Sequence, residues 1–254
     1  MDEGLFRTVR ELITVGLVLI LIMLRLDAER FGAAEYDEAR QDGKAPSLRG
    51  RLAWYFLGIG LIVVIMVIHP DPRTLLFLGP GERIPALLGG LVFGVIGAAQ
   101  AVVFARIRYH HFRLPNVSSY PGALINAIAT AFIDEATYRG VLFGLLITAG
   151  VNPSAANLVQ AVIYTLSTRL GARGRDRYML VLTLLIALAG GWLTYATGGI
   201  AAAFLGHVIT RLAVFICTGH AGQVAQRGRE AEDIERRRRT PDGWRVIGSG
   251  KSQE

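Results

Sequence analysis

Seven apolar blocks, each near the length needed to cross a bilayer, alternate with charged connections along the 254 residues. They run from about Leu12 to Leu26, Leu52 to Ile68, Ile84 to Ala105, Ala123 to Ile147, Ala155 to Leu170, Tyr178 to Ala196 and Ile200 to Cys217. Backbone polar groups in hydrocarbon must be satisfied within the chain, so blocks of this length form helices. Hydrophobic residues make up 52% of the chain and mean hydropathy is +0.41, more apolar than a soluble domain of this size. The expected fold is all-α: a polytopic integral membrane bundle of about seven transmembrane helices.

Every proline falls in a connection or at a helix start, so none interrupts a block. Gly90, Gly94 and Ala98 recur at spacings of four in the third block, a face on which another helix can approach closely. The single cysteine, Cys217, excludes an internal disulfide and supplies no metal-ligand spacing. The N-terminal run resembles a signal peptide in length. Glu11 abuts it, however, Arg25 follows it, and no small-x-small site comes directly after, so an uncleaved first helix is expected, tilted or partly interfacial if it does not span.

Three regions follow: residues 1–51 with the first helix and a polar connection, a membrane core over 52–217, and a polar tail over 218–254. The tail reads as a charged helix over Gln223–Arg239, halted by Thr240 to Gly243. Basic residues crowd alternate connections: Arg25 to Arg51 after the first block, Arg106, Arg108 and Arg113 after the third, Arg169 to Arg177 after the fifth, and the tail. By the positive-inside rule the tail is cytoplasmic, in the plasma membrane, with the N-terminus outside if the first block spans. The formal charge of +7 is thus a topology signal and a contact to lipid headgroups, and no nucleic-acid partner is expected. No internal repeat supports a transporter fold, although an acidic pair could relay protons.

The fourth block carries the most informative segment, Phe132-Ile-Asp-Glu-Ala-Thr-Tyr-Arg-Gly140. Ionisable side chains are costly in a bilayer and usually face a bundle interior. Asp134 and Glu135 are adjacent carboxylates that repel one another where burial penalises charge, conditions that poise an acid or base. Glu135 and Arg139 can equally form a plain i, i+4 ion pair. The seventh block adds His207 and, one turn on, Arg211, which can neutralise a carboxylate or reach the interface. The fifth adds Ser167 and Thr168; Thr168 most simply bonds back to its own helix.

At about 1.5 Å rise per residue, Asp134 lies roughly 17 Å from the cytoplasmic start of its block. His207 lies roughly 10 Å and Thr168 roughly 20 Å from the outer ends of theirs. The blocks can therefore converge on one buried polar pocket. Such a pocket suits water-mediated acyl transfer, with a carboxylate taking a proton from water and donors steadying the oxyanion.

At these residues the chain resembles the CPBP family of membrane CAAX prenyl endopeptidases and bacteriocin-processing enzymes. That family has three ordered motifs: Glu-Glu-x-x-x-Arg, Phe-x-x-x-His and His-x-x-x-Asn. Here they stand as Asp134-Glu135-Ala-Thr-Tyr-Arg139, Tyr164-Thr-Leu-Ser-Thr168 and His207-Val-Ile-Thr-Arg211, within about Tyr120 to Cys217.

The resemblance implies an intramembrane peptidase in which Asp134 is the base, His207 an oxyanion donor, and Glu135 with Arg139 its supports. The substrate would be a membrane-associated peptide or protein, with lipid around it, no cofactor and no metal. Thr168 stands where the family has its water-activating histidine, and a hydroxyl is no base near neutral pH. Asp134 is one methylene shorter than glutamate, and Arg211 replaces the asparagine. The alternative is a catalytically silent member that keeps the pocket to bind a membrane peptide or protein.

Overall fold

A computed structural model describes residues 3–33, 36–37, 48–109, 120–169 and 177–221. The expected tail helix over Gln223–Arg239 lies outside the described residues, as do Arg40, Lys44, Arg113, Arg173 and Arg175 of the basic connections.

The helices are α1 (Glu3–Leu26), α2 (Ala28–Phe31), α3 (Leu48–Ile68), α4 (Arg83–Tyr109), α5 (Tyr120–Asp134), α6 (Phe143–Thr148), α7 (Pro153–Arg169), α8 (Arg177–Thr197) and α9 (Ala201–Thr218). A π-helical run, Glu135–Leu142, joins α5 to α6, so the fourth apolar block is one helical path wound in three pieces. A two-residue antiparallel ladder pairs β1 (Tyr36–Asp37) with β2 (His220–Ala221) and fastens the start of the polar connection to the end of α9. The all-α architecture is as the apolar blocks require. Most helices extend beyond their blocks by a few residues, because polar ends can stay helical with their heads at the interface.

Among the described residues four helical stretches are long and apolar enough to cross a membrane: Leu48–Ile68, Arg83–Tyr109, Leu180–Thr197 and Ala201–Thr218. The remaining paths are the ones that carry charge or are shorter. Arg7, Arg10, Glu11 and Arg25 lie in α1, Asp134, Glu135 and Arg139 interrupt the fourth path, and α7 has 17 residues.

The first helix is nevertheless integral to the bundle. It begins nine residues before the apolar run and buries Thr14, Val18, Leu21 and Arg25, which recur at helical spacing on one face. At its C-terminal end Trp54 Nε1 of α3 donates to the Leu24 carbonyl over 2.8 Å, satisfying one of the carbonyls a helix end leaves open. At the other end Arg7 and Glu11 come within electrostatic reach of His69, just past the end of α3. Thus α1 runs antiparallel to α3 along its length, and its 24 residues make a rod about 36 Å long.

The small-residue face of α4 packs on α9. A Cβ at Gly90 would crowd the Ala202 carbonyl and Leu205, one at Gly94 would press on Ile209, and one at Gly97 would run into Thr210. The face continues through Gly97 and Ala101, which are buried, whereas Ala98 is only half-buried. The repeat of four in the sequence thus drifts by one residue, as 3.6 residues per turn dictates. Around this bundle large apolar side chains such as Phe56, Val67 and Val95 are exposed, as suits surfaces facing lipid.

Candidate functional site

Asp134 ends α5 and Glu135 opens the π-helical run. Bonds of the i→i+5 type usually occur as single-turn bulges, frequently at functional sites. Here the run extends over eight residues. Two glycines let the α3–α4 connection lie directly on this winding. A Cβ at Gly140 would meet Leu78 at 2.7 Å, and one at Gly144 would overlap the Leu75 carbonyl. Phe77, at a φ of 50°, stacks its ring on Phe143 with centroids 5.5 Å apart, and its carbonyl accepts the Ile200 N–H. The winding is therefore enclosed by its own chain.

Successive helical side chains point about 100° apart, so the two adjacent carboxylates address different neighbours. Asp134 Oδ1 lies 2.9 Å from Arg25 Nε of α1, and Oδ2 accepts from the Tyr164 hydroxyl of α7 at 3.4 Å. Glu135 Oε1 lies 2.6 Å from His207 Nδ1 of α9 and 3.4 Å from Arg139 Nη1. The Arg139 guanidinium also covers the Tyr164 ring, 4.0 Å from its centroid. Beneath them the Tyr138 hydroxyl is 2.6 Å from Ser167 Oγ, which donates to the Tyr164 carbonyl. Asp134 and Arg139 are wholly buried and Glu135 is 1% exposed, so these ion pairs are shielded from bulk solvent.

The structure thus brings together four of the residues singled out from the sequence: Asp134, Glu135, Arg139 and His207. Arg211 is also buried, but its Nη2 donates to Asn126 Oδ1 at 3.2 Å, two turns before Asp134 on α5. It stands within electrostatic reach of Asp134. Thr168 is half-buried, its hydroxyl donating to the Thr165 carbonyl of its own helix at 3.0 Å. From α7 it is Tyr164 and Ser167 that reach the buried cluster.

Further contributors were not among the candidate site residues read from the sequence. Arg25 read as a topology signal, yet it is 6% exposed and paired. Asn126, Thr130 and Asp134 form a buried polar stripe at spacings of four, a pattern visible in the sequence of α5. Asn126 Nδ2 donates to the Ala33 carbonyl and the Tyr55 hydroxyl, tying the segment after α1 and α3 to this stripe. Tyr164 holds the first position of the second motif, where an aromatic ring reads most simply as packing.

One carboxylate oxygen stays uncommitted. Glu135 concentrates its partners on Oε1, and among the described residues Oε2 has no hydrogen-bond partner; neither do Arg139 Nε and Nη2. A bare acceptor and bare guanidinium donors in one buried site are equipped to hold a polar guest such as water. Among the described residues no three His, Cys, Asp or Glu side chains gather as a metal site.

Residues 116–213 match the family model described as type II CAAX prenyl endopeptidase Rce1-like. No curated protein and no solved structure matches the chain. The matched stretch includes the acidic pair, the π-helical run, α7, α8 and the two polar positions of α9, so of the cluster's charged members only Arg25 comes from outside it. Its three motif positions follow in the family's order, with helices apolar enough to cross a membrane around them. Over residues 116–213 the chain is thus similar to the type II CAAX prenyl endopeptidase Rce1-like family.

Proposed function

We propose that the protein hydrolyses a peptide bond of a membrane-associated peptide or protein, CAAX-type substrates being the first class to test, by water activated at Glu135. The observation that carries this reading is the 2.6 Å contact between Glu135 Oε1 and His207 Nδ1, which leaves Oε2 without a partner among the described residues. Asp134, the base by family resemblance, is engaged through both oxygens, by Arg25 on one side and Tyr164 on the other. It serves to hold α1 and α7 against the site, and Glu135 takes the chemical role.

In the reaction Glu135 Oε2 removes a proton from water as the water oxygen bonds to the scissile carbonyl carbon. The carbonyl π pair moves onto oxygen, where the second ring nitrogen of His207, when protonated, can donate to it. Collapse of this intermediate breaks the C–N bond, and the proton held on Glu135 passes to the departing amine. A carboxylic acid and an amine are left, with all atoms and charges accounted for.

A second reading has support of its own. The motif position that holds histidine in the family is Thr168, bonded to its own helix, and the ion pairs close the site internally. These favour a silent member that binds a membrane peptide or protein. Hydrolysis of prenylated and plain peptides by the protein in lipid nanodiscs decides between them. Cleavage that Glu135→Gln abolishes supports the peptidase; peptide binding without cleavage, unaffected by that change, supports the binding role.

A further inference from the structure

We propose that Phe77, in the connection between α3 and α4, is a positioning residue for the Glu135–His207 pair. It clamps the π-helical winding, α8 and the start of α9 at one fixed spacing. As a part in the reaction, this rests on the peptidase reading. Phe77 lies outside the matched stretch 116–213, and among the described residues it is the one residue other than glycine with a positive φ, 50°.

That backbone conformation costs a bulky L-residue free energy and costs glycine almost none. The same connection uses glycine where the left-handed turn alone is needed. Gly81, at a φ of 74°, lies against the Thr197 carbonyl with no room for a Cβ. A left-handed phenylalanine persists only where its surroundings hold it, and here three segments do so. Its ring stacks on Phe143 with centroids 5.5 Å apart and lies 6.4 Å from the Tyr195 ring of α8. Phe143 and Tyr195 in turn meet edge to face at 6.3 Å, within the range of favourable aromatic pairs. The Phe77 carbonyl shares the Ile200 N–H with the Gly79 carbonyl, each at 3.1 Å.

These partners are the ends of the elements that carry the site. Phe143 directly follows the π-helical run that begins at Glu135 and includes Arg139. Ile200 directly precedes α9, and His207 stands two turns further on, roughly 10 Å along the axis and on nearly the same face. Phe77 therefore ties together, through ring and carbonyl, the two segments whose side chains meet as Glu135 Oε1 and His207 Nδ1 at 2.6 Å. A contact that short tolerates little sliding of α9 along the winding. Phe77 sets their relative height from one end and acts through the helices.

The test compares Phe77→Gly, Phe77→Ala and Phe77→Tyr with wild type, in the full chain in nanodiscs. Peptide hydrolysis, thermal unfolding and the imidazole nitrogen NMR spectrum are measured, His207 being identified as the signal that His207→Ala removes. Glycine and alanine both delete the ring, but only glycine also relieves the left-handed backbone. Phe77→Gly should therefore unfold at a higher temperature than Phe77→Ala. A residue that serves stability alone makes activity follow that order.

A positioning residue makes activity follow the ring. Both ring-deleted variants should lose about a hundredfold in kcat, the effect of an ångström of misplacement, with KM within about twofold. Phe77→Tyr should stay within about threefold of wild type, since it keeps the stack. The His207 signal should shift in the glycine and alanine variants and stay in place in the tyrosine variant. In a His207→Ala background, Phe77→Gly should cost less than about threefold more, because the contact it positions is already gone. An unmoved His207 signal, activity that follows the unfolding temperatures, or a full hundredfold loss on top of His207→Ala overturns the proposal. If the wild type cleaves no peptide yet its His207 signal shifts with loss of the ring, the clamp stands, and its part in the reaction falls together with the peptidase reading.

Discussion

Arg25 Nε stands 2.9 Å from Asp134 Oδ1, linking the last turn of the first helix to the last residue of α5, both side chains buried. The contact makes α1 part of the site although it lies outside the matched stretch 116–213. It also divides the adjacent carboxylates into one that is committed across helices and one that keeps a free oxygen.

Removing one member of a buried ion pair leaves the other charge uncompensated, at a cost of about 3–5 kcal/mol. Arg25→Ala is therefore expected to lower stability by about that amount in reversible unfolding from detergent micelles. Asp134→Leu combined with Arg25→Met should recover most of the loss, because a buried pair replaced by apolar groups is often neutral or better. Equal destabilisation in the single and double variants would mean the pair contributes nothing of its own.

The carboxylates should differ in hydrolysis. Glu135→Gln is expected to reduce the rate by a factor of about 10²–10⁴, the usual worth of a general base. Asp134→Asn keeps an oxygen for Tyr164 or Arg25 and should retain activity within about tenfold. Steady-state cleavage by both variants in nanodiscs measures the asymmetry, and the reverse order would return the base to Asp134.

His207 joins α9 to Glu135 through Nδ1, 2.6 Å from Oε1. His207→Ala should cost about 10²–10³-fold in kcat, in the range of one oxyanion donor. His207→Asn keeps a donor near Glu135 and should recover part of that loss. If KM rises with kcat unchanged instead, His207 binds substrate and takes no part in the chemistry.

Thr168 bonds the Thr165 carbonyl within α7. Replacing it by the similarly shaped valine removes only that local bond, so Thr168→Val should alter cleavage less than about twofold and stability by about 1 kcal/mol or less. A loss of activity larger than tenfold in the same assay would give Thr168 a part in the site.

Gly97 faces Thr210 where α4 and α9 pack together. Gly97→Val adds volume to a closed contact and is expected to destabilise by about 1–3 kcal/mol. Because His207 and Arg211 are on α9, activity should fall as well, and the unfolding midpoint in micelles is the first measure.

Much of this molecule is legible in the order of its residues. Long apolar stretches admit little except helices in a bilayer, so the helical paths, their rough ends and the prolines at helix starts could be read directly. The segment from Asp134 to Arg139 and the pair His207 and Arg211 are conspicuous because charge is costly where they lie. The contact of Glu135 with His207 agrees with the common depth that rise per residue assigns to these blocks.

Which charge meets which is another matter. Spacing within a helix fixes the face a side chain shares with its neighbours on that helix, and this is why the Glu135–Arg139 pair and the Thr168 bond were foreseeable. Contacts between helices depend on how those helices cross, rotate and slide, and no local periodicity encodes that. Arg25 could therefore pass for a topology signal until α1 was laid against α3 and its last turn met Asp134. The π-helical winding arises in the same way. It depends on several chain segments packed together, where the energy of close packing, and not the preference of any one residue, selects the arrangement.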